Sequence, residues 1–168
     1  MPFVQVNAVK ALGGEVRLIG ESYTETQAYA WRAADEEQRS FVAPYDDPYT
    51  IAGQGTIGVE ILKQLGARIN SLDAIFVAIG GGGLIAGIAA YVKELKPGIK
   101  VIGVEPTGAN CMAQSLKHGE RVQLTRVDAF ADGVAVKSVG AVRSHPLSRS
   151  SPDTSRGLGS GCHFARWL

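Results

Sequence analysis

Along the first 140 residues, short apolar runs alternate with segments of helical periodicity. Glu15 to Ile19 (EVRLI) follows Gly13-Gly14 and predicts a strand. The SYTE sequence next to it is a capping box, in which Ser22 accepts from the backbone of Glu25 and Glu25 reaches back. It predicts a helix to about Gln38, with Ala30, Ala33 and Ala34 inward and Asp35, Glu36 and Glu37 in water. Phe41 to Ala43 predicts a short strand, and PYDDP a loop. From about Gly55, the recurrence of Ile57, Ile61, Leu62 and Leu65 predicts a second helix. Leu72 to Ile79 is almost continuously apolar, the pattern of a parallel strand buried on both faces. Leu84 to Leu95 reads as a helix stopped by Pro97-Gly98, Lys100 to Glu105 (KVIGVE) as a buried strand, and Ala109 to His118 as a helix. Strand and helix alternating at this rhythm predict an α/β fold, a parallel sheet with covering helices.

After Gly140 the pattern stops. AVRSHPLSRSSPDTSRGLGSGCHFARWL is rich in Ser, Arg, Gly and Pro and has almost no aliphatic periodicity. Such a composition cannot bury enough apolar surface to order itself, so residues 141–168 are expected to form a disordered tail, or to be foreign to the fold. His145, Cys162 and His163 in it match no metal-site spacing.

Composition narrows the function classes. The chain is 45% hydrophobic, 20% charged and 7% aromatic, as soluble globular proteins are, and its net charge of +1 argues against a nucleic-acid surface. Cys111 and Cys162 stand far apart in no redox or metal motif, which fits a reducing compartment. Lys93 and Glu94 end the longest apolar run below membrane-spanning length, so no membrane partner is expected. MPFVQVNAVK has neither signal-peptide nor transit-peptide character. The chain is expected to be soluble, and its sequence does not choose between the cytoplasm and, if a targeting segment is missing upstream, the plastid stroma.

Four consecutive glycines, Gly80 to Gly83, join the apolar strand to the helix opening at Leu84. A loop at the carboxyl end of a parallel strand lies where α/β sheets bind ligands. The helix start offers free amides and the positive end of a dipole, and glycine removes the Cβ atoms that would obstruct an anion. A tight turn needs one or two glycines, so four point to a phosphate. The lysine and hydroxyl residue of a P-loop are missing, since Leu84-Ile85 stand in their place. Gly82 and Gly87 have the outer spacing of a dinucleotide fingerprint, with Leu84 at its middle glycine, and Glu105 ends the next strand where an acid would meet a ribose. A Rossmann-like domain for NAD or S-adenosylmethionine is therefore the alternative reading.

Taken in order, PYDDPYTIAGQGTIGVEIL (Pro44 to Leu62), FVAIGGGGLIAGIAAYVK (Phe76 to Lys93), KVIGVEP (Lys100 to Pro106) and FADGVAVK (Phe130 to Lys137) resemble fold-type II, tryptophan synthase β-like pyridoxal-phosphate enzymes. The resemblance is to their threonine deaminase and serine-threonine dehydratase group, and the biosynthetic threonine deaminases look closest. It covers roughly Ala8 to Gly140. It implies that Gly80, Gly81, Gly82, Gly83 and Leu84 hold the phosphate of pyridoxal 5'-phosphate through backbone amides. Tyr45 falls where family members place a side chain beside the cofactor ring. Asp46 and Asp47 invite reading as a catalytic carboxylate pair, but acids just before a helix are better explained by its positive end. One branch of the group binds a divalent cation at positions matching Glu105, Ala109 and Cys111, where cysteine is a poor ligand for a hard cation.

The resemblance implies a lyase of isoleucine biosynthesis, converting threonine to 2-oxobutanoate and ammonia, with threonine or serine as the small amino-acid substrate and homo-oligomers common. Its chemistry requires a Schiff-base lysine in an SFKxRGA-like segment and an asparagine in SSGNHAQG, and neither segment occurs here. The seven lysines are Lys10, Lys63, Lys93, Lys96, Lys100, Lys117 and Lys137. None matches the Schiff-base position, so no catalytic residue is assigned. The expected organisation is a remnant of the smaller domain at 1–43, part of the larger cofactor-binding domain at 44–140, and the tail. Such an internal piece is expected to be inactive alone, to leave sheet edges exposed, or to serve as a non-catalytic subunit.

Overall fold

The structure is a computed structural model and describes residues 3–20, 23–128 and 130–141, together with the backbone of 162–167. The chain divides into two compact units, Met1–Phe41 and Val42–Leu168. The first contains α1 (Phe3–Ala11) and α2 (Tyr23–Glu36). The second contains α3 (Pro48–Leu65), β1 (Ala74–Ala78), α4 (Gly83–Leu95), β2 (Lys100–Pro106), α5 (Cys111–His118) and β3 (Cys162–Trp167).

In the first unit, α1 forms where no helix is expected from the residue pattern, and only its Val6 is buried. The predicted strand EVRLI is irregular instead. Arg17 donates to Glu15 at 2.6 Å and also pairs with Glu37, which Arg39 engages at 2.9 Å. These exposed ion pairs hold both glutamate carboxyls below their ordinary range, chiefly through the Arg17 hydrogen bonds. A strand needs a partner to satisfy its amides, and the described residues provide none here. Helix α2 ends at Glu36, close to the predicted limit, while Ser22 of the capping box lies outside the described residues. Phe41 is not in a strand either. Its ring stacks on Trp31 with centroids 4.5 Å apart.

Helix α3 opens seven residues before the predicted start. The Asp47 carboxylate accepts from the amides of Tyr49 and Thr50, both at 2.9 Å, and Pro48 takes the first helical position. This is the standard start signal of an acid cap followed by proline. Asp47→Ala should lower the unfolding free energy by about 1 kcal/mol in urea titrations, with Asp47→Ser close to the parent.

The sheet has the order β1-β2-β3 and is parallel throughout, with Ala74 opposite Lys100 and Val101 opposite Cys162. Helix α4 makes the crossover from β1 to β2 that a parallel pair demands. One face of the sheet presents Val77, Ile79 and Val101 to Ile85, Ile88 and Val92 of α4, and Cys111 and Met112 of α5 complete this core. The other face differs from expectation. Phe76 is 65% exposed, so β1 is covered on one side only, and its outer edge has no partner among the described residues. Residues 162–167, expected in a disordered tail, form β3 along the free edge of β2. Backbone pairing requires no apolar side-chain pattern, which is why composition did not signal it.

Helices α3 and α4 cross through glycines. A Cβ on Gly55 would lie 3.2 Å from the Gly87 carbonyl oxygen, and one on Gly87 would lie 2.3 Å from that of Ile51. No described helix is long and apolar enough to cross a membrane.

Candidate anion site at the start of helix α4

The glycine loop leaves β1 at the carboxyl end of the sheet. Ile79 donates to the Val104 carbonyl at 2.9 Å, and helix α4 begins at Gly83. Gly82 has φ +98° and ψ −5°, a left-handed conformation, directly before the right-handed helix. Left- and right-handed residues in succession turn three consecutive amides toward one point, a concavity suited to an anion. Here these are the N–H groups of Gly82, Gly83 and Leu84. The first hydrogen bond into the helix runs from Ala86 to the Gly82 carbonyl at 3.0 Å, and no side chain caps the start. Among the described residues, the amides of Gly82, Gly83 and Leu84 have no acceptor. The donor set fits a phosphate.

Each glycine also has a steric reason, which corrects the argument that four exceed the needs of a turn. A Cβ on Gly80 would lie 3.1 Å from Val134 Cα, and on Gly81 2.1 Å from the Tyr45 ring. On Gly83 it would lie 2.8 Å from the Tyr45 carbonyl oxygen. Unpartnered amides, rather than the number of glycines, carry the anion reading.

Tyr45 is half-buried, its ring lies over Gly81, and its hydroxyl donates to the Ser138 carbonyl at 3.4 Å. Asp46 and Asp47 do not form a pair. Asp47 caps α3, while Asp46 accepts from the Ala141 amide at 2.8 Å. The 3-10 turn Asp132–Val134 abuts Gly80. Residues 133–134 and 138–141 thus flank the loop, which the sequence revealed only through the FADGVAVK motif.

Glu105 is 2% exposed. Its two carboxylate oxygens accept from the amides of Met112 at 2.9 Å and Ala113 at 2.8 Å, at the start of α5. This corrects the ribose role expected in the nucleotide alternative. It also occupies the carboxylate proposed with Ala109 as a cation ligand, and no group of three acidic, histidine or cysteine side chains able to hold a metal occurs among the described residues. Burial pushes the Glu105 carboxyl up, and its two backbone bonds pull part of that shift back. The neighbouring Cys111 thiol is pushed up to about 11, first by burial and then by the Glu105 charge. That leaves it a core side chain rather than a nucleophile. A separate cavity of about 480 Å³ between Thr107–Asn110 and the 122–126 segment includes none of the residues expected at the site.

A parallel sheet with a glycine loop opening a helix at the carboxyl end of a strand is the arrangement in which α/β domains hold ligands. The family described as "Pyridoxal-phosphate dependent enzyme" matches residues 1–160, and the chain belongs to it. Threonine dehydratase 1 biosynthetic, chloroplastic, of Solanum lycopersicum is 57% identical over 139 residues, covering 83% of this chain and 22% of that protein. A biosynthetic L-threonine dehydratase of Burkholderia multivorans is 56% identical over 142 residues, covering 83% and 27%. Among solved structures, the processed form of threonine deaminase isoform 2 from Solanum lycopersicum superposes with a TM-score of 0.81 at 42% identity, over 98% of this chain and 45% of that one. Maize serine racemase follows at 0.79 and 30%, over 98% and 46%. The fold is the fold-type II architecture of threonine deaminase-type enzymes, and the family's cofactor is pyridoxal 5'-phosphate. The chain spans about a quarter of the length of the curated relatives it matches.

Proposed function

We propose that this chain is the phosphate-holding part of a pyridoxal-phosphate-dependent threonine dehydratase, the type of enzyme that eliminates water from threonine to yield 2-oxobutanoate and ammonia. The observation that carries the reading is the set of amides of Gly82, Gly83 and Leu84 at the start of α4, which have no acceptor among the described residues. Bound there, the cofactor supplies an electron sink for loss of the substrate α-proton. The chain's own contribution is binding and orientation. Three amides and the α4 dipole would stabilise the phosphate's negative charge, and the Tyr45 ring covers Gly81.

The proposal assigns no proton-transfer or covalent role to the lysines present. Lys10, Lys63, Lys100, Lys117 and Lys137 are exposed, Lys93 donates to the Pro97 carbonyl at 3.0 Å, and Lys96 follows α4. The 168 residues alone are therefore expected to bind the cofactor reversibly and to form no 2-oxobutanoate.

Titrating the purified chain with pyridoxal 5'-phosphate tests this. The expected result is saturable binding displaced by inorganic phosphate, shifts of the Gly82–Leu84 amide resonances, and no cofactor trapped on one lysine by borohydride. Binding that phosphate does not displace would sink the phosphate-site reading. Release of 2-oxobutanoate from threonine would sink the inactivity.

A further inference from the structure

Between the PYDD loop and the glycine loop runs a chain of hydrogen bonds that neither the fold nor the capping of α3 requires. Asp46 accepts from the Ala141 amide at 2.8 Å. The adjoining Gly140 amide donates to the Gly81 carbonyl at 2.9 Å. Two residues earlier, the Ser138 carbonyl accepts from the Tyr45 hydroxyl. The 138–141 strap is thus fastened at both ends by neighbouring residues of one loop, and its middle grips Gly81.

The consequence is stereochemical. The Gly81 carbonyl and the Gly82 N–H belong to one peptide unit, and in a trans peptide they point in opposite directions. The peptide bonds described here are all trans. Anchoring the Gly81 carbonyl on Gly140 therefore fixes the Gly82 N–H on the far side, where the amides of Gly83 and Leu84 converge. Without the anchor, a peptide between two glycines rotates at little cost, because no Cβ restrains it.

We propose that Asp46 is a positioning residue for the anion site: by holding the 140–141 strap it locks the Gly81–Gly82 peptide with its N–H in the donor set. The inference rests on the phosphate reading above. It gives the first aspartate of the PYDD loop a role distinct from that of Asp47, which caps the helix.

Asp46→Ala and Asp46→Asn, compared with the parent by amide hydrogen exchange and by titration with inorganic phosphate and with pyridoxal 5'-phosphate, test it. Without ligand, Asp46→Ala is expected to speed exchange of the Gly140 amide and shift the Gly82 resonance. With either probe it should weaken binding about tenfold, the worth of one well-oriented donor. Asp46→Asn keeps an acceptor for Ala141, and both readouts should stay close to the parent. Asn and Ala variants equally impaired would overturn the inference, since charge and not the strap would then matter. So would parent-like Gly140 exchange in the alanine variant. A parent whose Gly82–Leu84 amides ignore both probes overturns the phosphate reading and this one with it. A responsive parent matched by Asp46→Ala overturns this one alone.

Discussion

Gly87→Ala is expected to destabilise the second unit by about 2 kcal/mol or more, because overpacking here outweighs the helical preference of alanine. An alanine Cβ at this point in α4 would stand 2.3 Å from the Ile51 carbonyl oxygen and 2.6 Å from the Gly55 nitrogen. Both are backbone atoms of α3, so relief requires moving one helix off the other. The opposing gain, alanine over glycine in a helix, is about 1 kcal/mol. Gly53 of α3 isolates that gain, since a Cβ there meets nothing within 4 Å. Gly53→Ala should therefore stabilise the chain by up to about 1 kcal/mol. Urea denaturation of the two variants should move the midpoint in opposite directions. A stable Gly87→Ala protein with an unchanged midpoint would contradict the close backbone contact.

Glu105→Ala should cost on the order of 3 kcal/mol, through loss of two charge-assisted hydrogen bonds and exposure of two amides to an apolar surround. Glutamine is a partial remedy only. Its oxygen can accept from Met112 or Ala113, but its NH2 group then faces the other amide, donor against donor. The order of stability expected is parent, then Glu105→Gln, then Glu105→Ala. Burial sets the direction of the pH dependence. The folded carboxyl titrates above its ordinary value, so between the two values the folded state binds more protons than the unfolded one. The stability contributed by this group is present in full below the ordinary glutamate range and is lost as pH rises through the raised value. Glu105→Gln should remove that dependence. A denaturation midpoint that falls on acidification through this window in the parent, yet not in the glutamine variant, would reverse the assignment.

The site and the fold were legible in the sequence to different degrees. KVIGVE and the GGGGL junction appear as β2 and the α4 start almost where the pattern placed them, because buried strands and glycine turns are local signals. The role of Glu105 is not legible in the sequence, for the opposite reason. An acid ending a strand is compatible with a ribose, a cation or a helix cap, and only the approach of α5 selects the last. EVRLI has the composition of a strand but forms no ladder among the described residues, and is held instead by the Arg17–Glu37 pair, twenty residues apart, and by Thr26 on the Ile19 carbonyl.

The alternation of β1, α4, β2 and α5, and the glycine junction with its helix start, are legible in the residue pattern. These follow from hydrophobic period and from the special conformations open to glycine, which act over a few residues. The assembled fold selects which glycines serve packing and which amides lack an acceptor among the described residues. It also decided that Asp46 reaches Ala141 across 95 residues and that Cys162–Trp167 closes the sheet. Those outcomes depend on backbone atoms brought together from distant parts of the chain, and backbone donors and acceptors are the same in every non-proline residue. No residue-type pattern can announce where they will meet.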